Sequence, residues 1–228
     1  MNGALLLASA GDTHWVGSVA RILRDLGFAV QTGMPVSSAT ADIGLVIADA
    51  DADTGIPDTL LGAWRGAGAV CALVLAPDAA RTLACGEAGV ACLRQPVTEA
   101  AILGLLISQH YVALTAREAA GVEQTIAEQT FGNPAFAAEL VQALVSSTRT
   151  DLARLRAAAD DLDTVRGVAH RLKAPAHYVG CHALRLMAQR LEDAARDGDA
   201  ATAAALAAIV GPTMVRLLSL LATLPAAE

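Results

Sequence analysis

Hydrophobic and polar residues follow two different rhythms in the two halves of the chain. In the first half, short apolar runs alternate with longer segments whose apolar residues recur every three or four positions. The runs lie at 4–8, 28–31, 45–48, 70–75 and 91–93, and the longer segments at 16–26, 60–65, 79–88 and 98–119. Short apolar runs predict buried strands, and the wider spacing predicts helices. Their alternation predicts an α/β domain with a parallel sheet covered on both faces.

The second half shows a helical rhythm without any strand pattern. Helical periodicity covers 122–129, 134–158, 161–178, 181–196 and 200–223. Glycine, asparagine and aspartate residues mark short turns between these segments. Long helices joined by short turns predict an all-α antiparallel bundle, and Pro212 predicts a kink in its last helix. The predicted domains are 1–119 and 120–228.

The segment 161–178 carries two distinct helical faces. One is an apolar stripe, made of Leu162, Val165, Ala169, Leu172, Ala176 and Val179. The other is polar and contains Arg166, His170, Lys173 and His177. We therefore expect the His170 imidazole to lie in water at the edge of the bundle. Gly167 and Ala174, one turn on either side, leave room for the surface of another protein.

Lys173 is the only lysine of the sequence, and it stands three residues after His170. A neutral imidazole is a competent nucleophile, and phosphoryl transfer needs positive charge beside the moving oxygens. Lys173 can supply that charge, and Arg166 and Arg171 are expected to add to the local field. The alternative interpretation is an ordinary surface histidine with a lysine nearby by chance.

Composition and charge exclude some partners. The net charge is −7, and both halves are acidic, with 6 basic against 11 acidic residues in 1–119 and 10 against 12 in 120–228. Neither half has the basic field that nucleic-acid binding needs. With 54% hydrophobic but only 3% aromatic residues, the cores must be built from alanine, leucine and valine. That composition favours close helix packing.

Cysteine spacing and hydropathy predict a soluble, cytoplasmic chain. The cysteines have no C-x-x-C spacing and are expected to be reduced core thiols. No stretch is expected to approach the roughly 18 apolar residues of a membrane span. No metal site is predicted, because His177 and His182 beside Gly180 have too few potential ligands nearby.

A longer pattern surrounds His170. His170-x-Leu172-Lys173-Ala174 is followed by Gly180, Leu184, Leu191-Glu192 and Gly198-Asp199. Across 120–228 this pattern resembles the histidine phosphotransfer (HPt) domain of phosphorelays. The resemblance implies a four-helix bundle with His170 as phosphoacceptor, Lys173 as its electrostatic partner and Glu192 near the imidazole. The chain departs from the family pattern at Ala174, where the family has glycine, and at Pro175.

Residues 1–118 resemble a response-regulator receiver domain. The resemblance is carried by LGFAV at 26–30, the strand at 45–48 that runs into Asp49, and EAGVACLRQP at 87–96. It implies a doubly wound, flavodoxin-like fold.

The catalytic residues of a receiver are largely missing from this half. The first strand ends in SAGD at 9–12 instead of an acidic pair, the hydroxyl position falls on Val74 or Ala76, and the lysine position is Gln95. The remaining aspartate is Asp49 or Asp53. We therefore predict a pseudo-receiver that is not phosphorylated in the ordinary way.

A second resemblance leaves an enzymatic alternative open. His170-x-Leu172-Lys173-x-Pro175 is also similar to the H-box of sensor-kinase dimerisation domains. Against it, Arg171 stands where that motif has an acid, and 179–228 is too short for an ATP-binding domain and has no nucleotide motif. A phosphorylation-independent adaptor is the third possibility.

The preferred interpretation is a phosphorelay intermediate of a bacterial two-component system, a phosphocarrier and not an enzyme. His170 would carry a phosphoryl group between aspartates of receiver domains, which belong to response regulators or hybrid kinases. No cofactor is expected on this chain, since Mg²⁺ would be bound by the partner receiver. The pair of domains resembles the C-terminal end of tripartite hybrid sensor kinases, with the first domain as a docking or regulatory module.

Overall fold

A computed structural model describes residues 2–8, 14–33, 43–50, 58–76, 90–158 and 161–224. The chain divides into two compact units, the first ending at Tyr111 and the second beginning at Val112. This division lies before the predicted boundary at 119/120. The predicted helix at 79–88, the segment 9–12 and Asp53 lie outside the described residues.

The first unit contains a parallel sheet of five strands. The strands are β1 (Asn2–Leu7), β2 (Phe28–Thr32), β3 (Ile43–Asp49), β4 (Val70–Leu75) and β5 (Ala91–Arg94). Their order is β2-β1-β3-β4-β5, and every neighbouring pair is parallel. The order is compatible with a flavodoxin-like domain. The five strands predicted from the apolar runs are confirmed.

Helices cover this sheet. The described helices of the unit are α1 (His14–Asp25), α2 (Asp58–Gly66) and α3 (Glu99–Ser108). Leu61 and Trp64 of α2 pack with Leu5 and Val46 in one buried cluster. Leu45 and Ile47, which alternate with Val46 along β3, are also fully buried. Both faces of the central strands are therefore covered, which explains why their sequences are apolar without alternation.

The long helix predicted at 98–119 is wrong. α3 ends at Ser108, His110 has a φ of +51°, and a new helix, α4 (Ala116–Gln129), follows. A capping box starts α4, because Thr115 Oγ1 accepts from Glu118 N at 2.9 Å and Glu118 Oε2 accepts from Thr115 N at 2.9 Å. In a continuous helix the N–H groups of Thr115 and Glu118 would donate to carbonyls four residues earlier. Here they donate to the two side chains instead, which begins a new helix.

The second unit is helical, as predicted. After α4 come α5 (Pro134–Ala158), α6 (Leu162–Tyr178), α7 (His182–Arg196) and α8 (Ala200–Leu221). α5 packs on α6 and α8, and α7 packs on the same two helices. This arrangement is that of a four-helix bundle. α4 contacts α5 and α6.

One helix among the described residues, α8, is long and apolar enough to cross a membrane. The expectation that no stretch approaches a membrane span is therefore wrong in length and composition. In the bundle, α8 buries residues spaced three or four apart, among them Leu206, Val210 and Leu217. Core packing accounts for that apolar face. Pro212 is exposed within α8, which remains one helix.

The described cysteines differ in state. Cys71 and Cys181 are buried free thiols. Burial raises the pKa of Cys71 to about 11 and that of Cys181 to about 12. Both are therefore protonated and unreactive at neutral pH. Cys92 is disulfide-bonded, so the expectation of reduced thiols is wrong at this position.

The turn between α6 and α7 depends on Gly180. Its φ is +73°, and Cys181 N donates to Ala176 O at 2.8 Å while Gly180 N donates to His177 O at 3.0 Å. This is a Schellman motif, whose left-handed position favours glycine. A Cβ on Gly180 would lie 3.2 Å from Thr125 Oγ1 of α4, so the turn is also a close contact between helices.

We expect Gly180→Ala to destabilise the helical unit by more than the roughly 1–2 kcal/mol of a left-handed alanine. Gly198→Ala is the matched control, since Gly198 has a φ of +77° and a Cβ added there would meet no heavy atom within 4 Å. Gly198→Ala should therefore lose only the free energy needed to place an alanine in the left-handed conformation. Urea unfolding measures the free energy of unfolding of both variants. In a Thr125→Ala background the two glycine substitutions should cost the same. Equal losses without that background would contradict the proposed crowding.

Candidate functional site

The position of His170 follows from the start and the buried face of α6. Asp161 caps the helix, its Oδ1 accepting from Asp163 N and Thr164 N, both at 3.1 Å. Val165 and Leu172 of the apolar stripe are buried in the core. His170 therefore lies on the outer side, and its side chain is 68% exposed, as predicted.

Glu192 of α7 holds one nitrogen of this imidazole. His170 Nδ1 lies 3.2 Å from Glu192 Oε1. An ionised carboxylate only accepts hydrogen bonds, so Nδ1 carries the proton and donates it to Glu192. In the neutral ring, Nε2 then keeps its lone pair. The contact orients the ring and leaves the Nε2 lone pair outside this hydrogen bond.

Glu192 is ionised although its side chain is only 12% exposed. Burial by itself raises the pKa of this carboxyl, but hydrogen bonds from Lys173 and His170 and its electrostatic interactions with both side chains lower the pKa more. The net result is a pKa below the usual range for glutamate. A negative charge therefore lies beside the imidazole at neutral pH.

The Lys173 side chain contacts two residues of α7. Its Nζ forms an ion pair with Glu192 Oε2 and donates to Gln189 Oε1 at 2.9 Å. The side chain is 25% exposed, less than that of His170. The predicted lysine thus lies near the imidazole, joined to it through one carboxylate.

Three further residues of α7 extend this set of contacts, and sequence reasoning missed them as site residues. Asp193 Oδ1 accepts from Gln189 Nε2 at 3.1 Å and pairs with Arg196 Nη1 at 2.6 Å. Arg196 Nη2 lies 3.5 Å from Glu192 Oε1. A signal was present, since Gln189 and Arg196 lie three residues before and four after Glu192, on one helix face.

The two arginines expected to add to the local field pair elsewhere. Arg166 Nη2 lies 3.1 Å from Asp163 Oδ1, one turn earlier on α6. Arg171 Nε and Nη2 lie 2.8 and 2.7 Å from Asp151 Oδ1, a buried carboxylate on α5. Arg171 therefore ties α6 to α5, and the second cation near Glu192 is Arg196.

Small residues border the imidazole. Ala174 is exposed and Gly167 is half-buried, consistent with the expected access. Pro175 is buried inside α6, which continues to Tyr178. Because proline has no N–H, the carbonyl of Arg171 loses its helical donor at that point.

The two histidines that flank Gly180 make only ordinary side-chain contacts in the described residues. His177 is exposed, with its ring 6.0 Å from that of Tyr178, and His182 Nδ1 lies 3.5 Å from Arg185 Nη2. Within the part of the chain that the structure describes, no three His, Cys, Asp or Glu side chains cluster as metal ligands.

The described receiver-like positions lie at the carboxyl edge of the sheet. Asp49 ends β3, is 5% exposed, and is in register with Val74 of β4. Gln95 follows β5, and its N–H donates to Leu75 O at 3.0 Å. Val74, the residue of β4 that pairs with Asp49, therefore has no hydroxyl, and the residue after β5 is glutamine instead of lysine.

Comparison with known families gives one match. Residues 139–227 match the family model of the Hpt domain, from the second turn of α5 through α8. The helical unit fits an Hpt bundle, and the match supports histidine phosphotransfer in a phosphorelay. Hpt domains are phosphocarriers and interact with receiver domains. The match does not extend into the first unit. Neither the curated proteins nor the solved structures gave a match.

Proposed function

We propose that this chain carries a phosphoryl group on His170 between the aspartates of receiver domains. The main support is an exposed imidazole whose Nδ1 is held by the buried, ionised Glu192, so that Nε2 faces outward with its lone pair. The Hpt match over 139–227 supports the same reaction class.

In the proposed transfer, the Nε2 lone pair attacks the phosphorus of an aspartyl phosphate on the partner. The N–P bond forms while the P–O bond to the aspartate breaks, and that carboxylate leaves with the electron pair. The proton on Nδ1 stays in its hydrogen bond to Glu192, whose charge stabilises the positive ring. The reverse sequence passes the group to a second receiver. Mg²⁺ belongs to the partner in this scheme.

Lys173 would compensate the charge of the phosphoryl oxygens. Its ammonium is joined to the imidazole through Glu192 and has a flexible four-carbon chain, so it can reach toward Nε2. The role of Ala174 is to keep the approach to the ring open. Arg166 is engaged with Asp163 and is not part of the proposed transfer.

We propose that the first unit is a pseudo-receiver with a docking or regulatory role, acting in the cytoplasm. Val74 and Ala76, the two candidates for the hydroxyl position, and Gln95 after β5 support this, because none of them can assist phosphoryl transfer as a hydroxyl or an amine does. Stable acyl phosphate on Asp49 or Asp53, after incubation with acetyl phosphate and Mg²⁺, would overturn this part.

The test is transfer from a panel of phosphorylated receivers to the whole chain. Label on the chain that is stable in alkali, lost in acid and mapped to the peptide containing His170 is the expected result. Label that appears with ATP as the sole phosphoryl donor, without a phosphorylated receiver, would favour the kinase-like alternative. No label from any donor would leave a phosphorylation-independent adaptor.

A further inference from the structure

Glu192 is a shared partner of three basic side chains. His170 Nδ1 and Arg196 Nη2 lie 3.2 and 3.5 Å from its Oε1, and Lys173 Nζ pairs with its Oε2. The carboxylate is mostly buried. Its charge is therefore stable only while cations stay beside it, since an uncompensated buried charge is costly.

The proposed function, on which this inference rests, gives Lys173 a second task. In the resting site Lys173 pairs with Glu192, yet a phosphoryl group on Nε2 would draw the same ammonium away. Glu192 would then lose its nearest cation. A neutralised or rotated Glu192 could no longer hold the proton on Nδ1, and the ring would lose its orientation.

We propose that Arg196 is a positioning residue that keeps Glu192 ionised and directed at His170 Nδ1 while Lys173 engages the phosphoryl group. Arg196 acts through Glu192 and not on the reacting atoms. It keeps a positive charge beside the carboxylate when Lys173 withdraws, in addition to the imidazole, so at least one permanently charged partner stays on Glu192 in both states.

The anchoring of Arg196 fits this task. Its Nη1 is fixed on Asp193 Oδ1 at 2.6 Å, independently of Lys173, while Nη2 remains beside Glu192. Pairing with Asp193 also raises the pKa of Arg196, so its charge is permanent. The contacts form a closed ring that runs through Lys173, Gln189, Asp193, Arg196 and Glu192. One member can leave while the others stay held.

The decisive experiment needs no phosphoryl donor, because Lys173→Gln imitates the departure of the lysine. Urea unfolding of the whole chain is measured for the wild type, Lys173→Gln, Arg196→Gln and the double variant. The same four proteins are then made with Glu192→Gln. Arg216→Gln, which removes an exposed arginine from α8, is the charge-matched control for Arg196→Gln.

We expect the effects of Lys173→Gln and Arg196→Gln to be coupled only where Glu192 is present. In the native background the double variant should raise the unfolding equilibrium constant about tenfold beyond the product of the single effects. With Glu192→Gln the two effects should simply multiply, since no charge remains to compensate. Multiplication in both backgrounds would overturn the proposal, because Arg196 would then act only as a local helix contact.

The pH dependence gives a readout that a merely structural arginine would not change. In the wild type, the lowered pKa of Glu192 contributes stability above the unfolded-state pKa, and this is lost as pH falls. His170 and Lys173 of α6, with Asp193 and Arg196 of α7, are the charged or titratable groups in its described contacts. Without both cations the pKa of Glu192 should rise toward or above its unfolded-state value, because burial opposes the charge and only His170 still lowers the pKa, so the loss of stability as pH falls should shrink or reverse. Subtracting the same measurement in the Glu192→Gln series isolates the contribution of Glu192, and an unchanged slope would contradict the proposal.

Phosphotransfer then tests the consequence separately. Arg196→Gln should lower the phosphorylated fraction at equilibrium about tenfold, Arg196→Lys should restore most of it, and Arg216→Gln should leave it unchanged. If the wild type accepts no phosphate, the proposed function fails while the unfolding cycle still decides the role of Arg196. If the wild type is labelled and Arg196→Gln equals it, the role of Arg196 in the phosphorylated state is refuted.

Discussion

A His170→Gln variant is expected to accept no acid-labile phosphate from any phosphorylated receiver, a loss on the order of 10³ or more. Glutamine has no nucleophilic nitrogen lone pair, so the N–P bond cannot form. The fold should be unaffected, because the side chain is 68% exposed and the glutamine amide can still donate to Glu192. Stability should change by less than about 0.5 kcal/mol.

The matched control is His177→Gln, which removes an exposed histidine two turns along the same helix. Transfer is followed by label on the chain and by the loss of label from the receiver, and urea unfolding checks both variants. Label retained by His170→Gln would place the acceptor on another residue. Loss in both with normal stability would mean that α6 acts as a docking surface whose exact side chains matter.

The helices of the bundle were predictable because local signals agree with the packing. Apolar residues three and four apart gave their buried faces, and turn residues gave their ends. Asp161 caps α6 by accepting two backbone N–H groups, and Gly180 and Gly198 take left-handed conformations after α6 and α7. Each signal depends on neighbours in sequence, so no tertiary information was required.

The break between α3 and α4 shows where periodicity misleads. Apolar spacing continues across 98–119, and neither glycine nor proline interrupts it between Leu105 and Thr115. The chain nevertheless stops at Ser108 and restarts at the capping box of Thr115 and Glu118. That box is readable as Thr-x-x-Glu, so the second helix start was detectable. The left-handed His110 was not, because it ends α3 in a Schellman motif, with Tyr111 N donating to Leu106 O and His110 N to Ile107 O, at a position where glycine is the usual signal.

The site was predictable along one helix and less so between helices. The face of α6 placed His170 and Lys173 together, while the place of Glu192 came from the family resemblance. Arg171 was expected near the imidazole but pairs with Asp151, twenty residues earlier on another helix. Such a contact depends on how α5 packs against α6, which periodicity does not encode. The same limit hid the contact of Gln189 with Lys173, whereas the partners of Arg196 lie three and four residues earlier on α7 and were readable from the spacing.

The largest expected loss of stability comes from Leu172, the residue between the phosphoacceptor and the lysine. Its side chain is 1% exposed on the buried stripe of α6. Leu172→Ala should destabilise the helical unit by about 2–5 kcal/mol, since truncation removes apolar burial and leaves a cavity. Val215→Ala is the control, because Val215 is 40% exposed on α8 and should cost less than about 0.5 kcal/mol.

Leu172→Ala should lower the free energy of unfolding without changing phosphotransfer by the folded molecules. Leu172 faces the core while His170 faces water, so the contact of Nδ1 with Glu192 does not run through the leucine side chain. Phosphotransfer by Leu172→Ala should therefore fall only by the fraction of unfolded molecules, as urea unfolding measures it. A larger fall per folded molecule would show that core packing sets the approach of α6 to α7, and with it the distance between His170 and Glu192. Chemistry and packing would then be coupled through one helix, and the assignment of separate roles to its two faces would be wrong.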